Sequence, residues 1–174
     1  MELKTLIVVF VCLSLMGSVA WVLPTPLQRA QAKIRKMAMA KGIKVNVSML
    51  KTPREKGKIE ARSHLATSYG IPKVVKRRSK DGMFAQQKEA WEIFKTDGLS
   101  TKGLPTGWCW HKGEGSLSSA KLSELTNLIE RLPSDVYAVG VTPIMALAYW
   151  DEKSTPKELD ELESVLKELI SKDF

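Results

Sequence analysis

The first clear pattern is an apolar run of eighteen residues, Leu6 to Leu23, without a charged side chain. A helix of this length, at about 1.5 Å per residue, covers most of the roughly 30 Å hydrocarbon core of a membrane. The run therefore predicts a transmembrane anchor over residues 1–23. Lys4 and the small residues Ser18-Val19-Ala20 also fit an alternative, the cleaved signal peptide of a secreted or periplasmic protein.

The next segment shows helical spacing of apolar residues and is rich in cations. Thr25 suits the N-cap of a helix, Pro26 suits its first position, and Gly42 suits the position just after its end. The pattern predicts a basic juxtamembrane helix over residues 24–42.

The remaining residues, 43–174, alternate between strand-like and helix-like patterns. Apolar and polar side chains alternate from Ile43 to Leu50, with Ile43, Val45, Val47 and Met49 on one side of the predicted strand. Residues 51–68 have no period and predict a long loop. Further strands are expected at Lys73–Arg78, Ala90–Lys95, Trp108–His111, Val136–Thr142 and Ile144–Trp150. For Ala90–Lys95, the end of a helix that begins near Phe84 is the alternative.

Two helices complete this part of the chain. Ser118 or Ser119 is expected to cap a helix of regularly spaced leucines that stops at Pro133, and Thr155-Pro156-Lys157-Glu158 reads as a capping box opening a second one. The predicted fold class is α+β: one transmembrane helix, then a small mixed domain with a sheet of about five strands and amphipathic helices.

Charge is divided unevenly along the chain. Residues 29–80 hold sixteen Lys and Arg against two Glu, a balance of +14, whereas residues 81–174 hold ten against sixteen Asp and Glu, a balance of −6. Cations next to a membrane helix favour the cytoplasmic side. The distribution thus favours the uncleaved anchor over the signal peptide. It predicts a single-pass protein of the bacterial inner (plasma) membrane with residues 43–174 in the cytoplasm.

The same charges supply candidate membrane-contact and nucleic-acid surfaces. Anionic lipid attracts juxtamembrane cations, and an aromatic ring suits the headgroup level. The residues expected to face membrane lipid are Trp21, Arg29, Lys33, Arg35, Lys36 and Lys41. Alternatively, residues 29–80 bind anionic lipid or nucleic acid as a peripheral surface; nucleic acid is less favoured because no recognised binding motif accompanies the cations.

No catalytic signature, phosphate loop or metal-ligand spacing appears in the sequence. Cys109 and His111 would share one face of a strand, but two residues are too few for a supported nucleophile or a structural zinc site. Cys12 and Cys109 are not expected to pair. We therefore expect a non-enzymatic protein with no catalytic, cofactor-binding or metal-binding residues.

Three sequence features carry a resemblance to known proteins. Trp21, Pro24, Thr25 and Pro26 are followed by the basic helix 28–41 and the strand 42–47; Gly107-Trp108 with Trp110, and the stretch 142–150, come later. This layout resembles uncharacterised bacterial single-pass membrane proteins. Its first fifty residues are also similar to the YajC-type auxiliary subunit of the Sec preprotein translocase. The resemblance implies an accessory or scaffold subunit of a membrane complex, with a membrane-protein partner, rather than an enzyme.

Overall fold

The computed structural model describes residues 2–22, 24–57, 60–73, 90–153, 155–172 and 174, with only the backbone described at 18–22. The chain divides into two compact units, Met1–Lys33 and Ile34–Phe174. Helix α2, Pro26–Ala40, contributes residues to both units.

The first unit contains helix α1, Glu2–Val22, and the start of α2. Thr25 caps α2 as predicted, because its Oγ1 accepts a hydrogen bond from the Gln28 backbone N–H at 3.2 Å. The Gln28 side chain accepts a bond from the Thr25 N–H at 2.9 Å, which completes a capping box. Past the other end of α2, Gly42 has a φ of 80°, the left-handed conformation for which glycine is suited.

The predicted transmembrane anchor over residues 1–23 is wrong. Among the residues that the structure describes, no helix is both long and apolar enough to cross a membrane. The predictions of a single-pass topology, an inner-membrane location and a cytoplasmic domain are corrected with it.

The second unit is built on a six-stranded antiparallel sheet with the strand order β1-β2-β6-β5-β3-β4. The strands are β1 Lys44–Lys51, β2 Ser63–Pro72, β3 Trp91–Phe94, β4 Cys109–Lys112, β5 Val136–Val141 and β6 Met145–Trp150. Two further helices are α3, Ser119–Glu130, and α4, Glu158–Ser171. The arrangement is α+β, with six strands instead of about five.

The expected loop over residues 51–68 is wrong, because β2 begins at Ser63 and its residues 63–70 pair with β1. Its first residues gave no strand pattern since they are exposed on both faces: even Leu65 is 68% exposed. Of the strand expected at Lys73–Arg78, residues 74–78 lie outside the described residues. Ala90–Lys95 forms a strand, β3, and not the end of a helix.

The start of α3 agrees with the sequence prediction, whereas the start of α4 does not. Ser118 caps α3 through its side chain, which accepts a bond from the Lys121 N–H. The capping box at Thr155 is wrong, because α4 begins at Glu158 and its N-cap, Lys157, makes no side-chain cap bond. Helix α4 therefore starts two residues later than its sequence pattern predicts.

The helices α3 and α4 and the last turns of α2 pack on one face of the sheet. The core between them contains Ile34, Tyr69, Trp91, Trp150, Leu162 and Leu166 among its largest buried side chains. The other face has a smaller buried cluster made by strand residues alone: Leu50, Ala66, Phe94, Cys109 and Ala138. We call this second face the helix-free face, since none of the described helices contributes to its cluster.

Candidate functional site on the helix-free face

Strand register places one row of side chains across the helix-free face. Lys44 lies opposite Gly70, Gly70 opposite Leu147, Leu147 opposite Gly140, and Gly140 opposite Glu92. Side chains alternate between the faces of a strand, so all five positions share this face. The row thus puts a cation at one end, a carboxyl group at the other and a leucine between two glycines.

A groove of about 760 Å³ lies over β1, β2 and β6 on this side of the sheet. Its lining combines apolar and uncharged polar side chains, and Lys44 is the one charged residue among them. The lining residues are Met39, Gly42, Ile43, Lys44, Val45, Asn46, Ser48, Ser68, Gly70, Met145, Leu147 and Tyr149. Its volume falls in the range of small-molecule sites, which is about 300–1,000 Å³.

Gly70 keeps the floor of the groove open. A Cβ atom at this position would lie 2.9 Å from the terminal methyl carbon of Met145, closer than such atoms approach in folded proteins. This atom is the flexible end of the Met145 side chain, so Met145 would have to move aside, and the new side chain would occupy part of the groove.

The charge of Lys44 is available to a ligand. Lys44 is exposed, and it forms no ion pair with any of the residues described. No carboxylate lines the groove. An anionic group near Lys44 would therefore meet a cation that no described carboxylate neutralises, beside apolar side chains.

Beyond Tyr149, the helix-free face holds a small cluster of titratable groups. The Tyr149 hydroxyl donates a hydrogen bond to the Glu92 carboxylate, while burial raises the pKa of both groups. His111 Nε2 lies 4.0 Å from Glu92 Oε2, which is too long for a hydrogen bond. Burial, together with the nearby Lys112, lowers the pKa of His111, so the neutral imidazole is favoured.

Cys109 lies on the same face of β4 as His111, as the sequence predicts, but its side chain is fully buried. Burial raises the pKa of its thiol, and a nucleophilic cysteine requires the thiolate. His111 instead packs its ring edge-on against Phe94, with ring centres 5.4 Å apart. The geometry suits packing better than nucleophilic chemistry. Among the residues described, there is also no group of three or more metal-ligating side chains.

The residues proposed to face lipid lie in different surroundings. Arg29, Lys33 and Lys36 are exposed on α2, and the side chain of Trp21 lies outside the described residues. Arg35 and Lys41 are held by carboxylates: Arg35 by Glu152, and Lys41 by Asp160 and by Glu163 at 2.7 Å. Lipid contact by these six residues stays a prediction.

Sequence reasoning missed the network around Glu152, a buried carboxylate just after β6. Its oxygens accept hydrogen bonds from Arg35 Nε at 2.8 Å, Arg35 Nη2 at 2.7 Å and the Tyr69 hydroxyl at 2.6 Å. Arg35 Nη2 also donates to Thr67 Oγ1 at 3.1 Å. The bond to Glu152 raises the pKa of Arg35, and burial raises that of Tyr69. Because Glu152 lies 117 residues from Arg35, no local pattern in the sequence connects them.

Comparisons with family models, with curated proteins and with solved structures found no match for this chain. The similarity to single-pass proteins and to the YajC-type subunit therefore stays a prediction.

Proposed function

We propose that the protein is a non-enzymatic binding module that holds a small amphipathic carboxylate in the groove of its helix-free face. The observation that carries this proposal is the lining: an apolar floor at Met145 and Leu147 beside the unpaired cation of Lys44. An alkyl chain would lie along the floor, and its carboxylate would meet the Lys44 ammonium group. An accessory role in a larger assembly, the broader prediction from the sequence, is compatible with such a module.

The expected affinity follows from the area that an open groove can cover. Burying about five methylenes supplies roughly 4 kcal/mol at about 0.8 kcal/mol each. An exposed ion pair with Lys44 adds at most about 1 kcal/mol. The total of about 4–5 kcal/mol corresponds to a Kd of roughly 0.1–1 mM.

The chemistry of the neighbouring residues supports a binding role rather than a catalytic one. The buried thiol of Cys109 has a raised pKa, and His111 makes no hydrogen bond to Glu92. A nucleophile needs a base within hydrogen-bond reach and a third group that orients the base. That arrangement does not occur among these residues.

The alternative prediction, binding of anionic lipid or nucleic acid through residues 29–80, has less support. Arg35 and Lys41 belong to this segment, and carboxylates of the same domain already neutralise them. Affinity for polyanions depends on cations that are free to contact phosphate. We therefore keep the groove as the proposed site.

A titration with decanoate, an alkyl chain that ends in a carboxylate, tests the proposal. Changes in the amide NMR chemical shifts of the protein report the binding. Ser68→Phe places a large ring in the groove, whereas Ser63→Phe makes the same change on the exposed end of β2, away from the lining. We expect saturable shifts at Leu147 and Tyr149 in the wild type and in Ser63→Phe, and at least a tenfold loss of affinity in Ser68→Phe. Lys44→Gln should weaken binding by less than about fivefold.

Two results would overturn the proposal. One is equal affinity for decanoate in Ser68→Phe and the wild type. The other is a set of shifts confined to residues outside the groove. Urea unfolding of each variant shows that it remains folded, so that a loss of binding reports on the groove itself.

A further inference from the structure

Strand β1 forms one edge of the sheet, and the phase of its hydrogen bonds can be assigned. The Thr52 N–H donates to the Arg62 carbonyl at 2.9 Å, directly opposite it in the extended register. Bonded pairs recur at every second residue of an antiparallel ladder. Asn46, Ser48 and Leu50 therefore bond to β2, and the N–H and C=O groups of Val45, Val47 and Met49 point away from it.

The side chains along this edge are apolar and exposed. Val47 is 44% exposed, Met49 is 66% exposed, and Leu65, directly opposite Met49 on β2, is 68% exposed. All three lie on the same side of the hairpin formed by β1 and β2. We call them the hairpin patch. An apolar patch beside backbone groups that no described strand pairs offers both parts of a strand-addition site: main-chain bonds for affinity and side-chain contacts for specificity.

The lysines of β1 favour an acidic strand as the pairing partner. Lys44 and Lys51 stand at the two ends of β1, and no Asp or Glu occurs between Lys44 and Arg54. Lysines on an edge oppose pairing with a second copy that carries the same lysines. A strand with acidic ends would instead place a carboxylate opposite each lysine.

We propose that β1 accepts an extended, acidic segment of a partner protein as an added antiparallel strand. Alternate apolar side chains of this segment would extend the hairpin patch, and its terminal carboxylates would lie opposite Lys44 and Lys51. Cross-strand pairs of opposite charge stabilise a sheet, whereas like charges directly opposite one another destabilise it. This site shares Lys44 and Val45 with the groove, but it is argued from the edge of β1 and the hairpin patch, so the inference does not depend on the ligand proposed above.

A synthetic peptide, acetyl-Glu-Thr-Val-Thr-Val-Thr-Val-Glu-amide, matches this register. Its glutamates fall opposite Lys51 and Lys44, and its three valines fall opposite Met49, Val47 and Val45. The matched control replaces both glutamates by lysine. We expect isothermal titration to give at least tenfold tighter binding of the acidic peptide to the full chain.

Two variants separate strand addition from simple charge attraction. Val47→Pro removes an N–H that points away from β2, so the hairpin keeps its own bonds while the added strand loses one; affinity should fall at least tenfold. The double variant Lys44→Glu with Lys51→Glu should reverse the preference and bind the lysine peptide more tightly. This second variant keeps the test decisive if Val47→Pro fails to fold.

The proposal is overturned if the two peptides bind the wild type equally, or if neither binds at 1 mM peptide. It is also overturned if the double variant keeps the original preference, or if folded Val47→Pro binds as well as the wild type. Sedimentation of the protein without peptide tests whether a second copy of this chain pairs with β1 instead. Self-association that Val47→Pro abolishes would assign the edge to a second copy of this chain.

Discussion

Replacing Glu152 by alanine removes the one acceptor that three donors share. The carboxylate is almost fully buried, with its side chain 1% exposed, and it accepts three hydrogen bonds from two nitrogens of Arg35 and one from Tyr69. After the substitution, the Tyr69 hydroxyl is left without this partner in a residue that is 0% exposed. The Arg35 side chain is 35% exposed, so water recovers part of its hydrogen bonding.

The expected cost follows from these surroundings. Removing one partner of a buried ion pair typically costs about 3–5 kcal/mol, and the partial exposure of Arg35 puts this case near about 3 kcal/mol. Tyr69→Phe removes a single bond to a charged acceptor and should cost about 2 kcal/mol, because Glu152 keeps its arginine.

Backbone conformation adds a second, separable contribution at the same residue. Glu152 has a φ of 56°, a left-handed conformation that costs a residue with a Cβ atom roughly 1–2 kcal/mol. Glycine does not carry this cost. Glu152→Gly should therefore be more stable than Glu152→Ala by about 1 kcal/mol, although both lose the carboxylate.

Urea unfolding of the full chain measures these differences, with Glu161→Ala, an exposed glutamate on α4, as the matched control. For a protein of this size, 3 kcal/mol corresponds to a fall in Tm of about 6–12 °C. The reasoning is refuted if Glu152→Ala costs less than 1 kcal/mol, or if Glu152→Gly is no more stable than Glu152→Ala.

Three further predictions concern other parts of the molecule. A thiol reagent should label Cys12, which is exposed, and should label Cys109 only after unfolding; rapid labelling of native Cys109 would contradict its burial. NMR titration should place the pKa of His111 below 6.5, and Lys112→Gln should raise this pKa. The stability that neutral His111 provides is therefore present above about pH 6.5 and is lost as the pH falls through the lowered pKa. Phe174→Ala should cost about 3 kcal/mol in urea unfolding, because the ring is 2% exposed and packs against Trp91, and an unchanged midpoint would contradict this packing.

Local sequence patterns predicted those elements whose faces differ clearly in polarity. Strands β5 and β6 are apolar and buried, and α3 has leucines at helical spacing behind a serine cap. Alternation of apolar and polar residues did not predict the start of β2, because Leu65 is exposed there and so are the polar residues beside it. Alternation alone cannot predict a strand that extends beyond the helices covering its sheet.

The candidate site could not be predicted in the same way, because it depends on register between distant strands. Lys44, Gly70 and Leu147 are neighbours only through the pairing of β1 with β2 and of β2 with β6. The apolar run from Leu6 predicted a transmembrane helix from its length and hydropathy alone. The described residues contain no helix that could cross a membrane.

The position of Leu147 between two glycines has a consequence for how this surface can change. Gly70 and Gly140 lie opposite it on the neighbouring strands, so Leu147 is the one side chain of its row between Lys44 and Glu92. A change in its size would reshape the groove without touching the backbone or the helix-covered core.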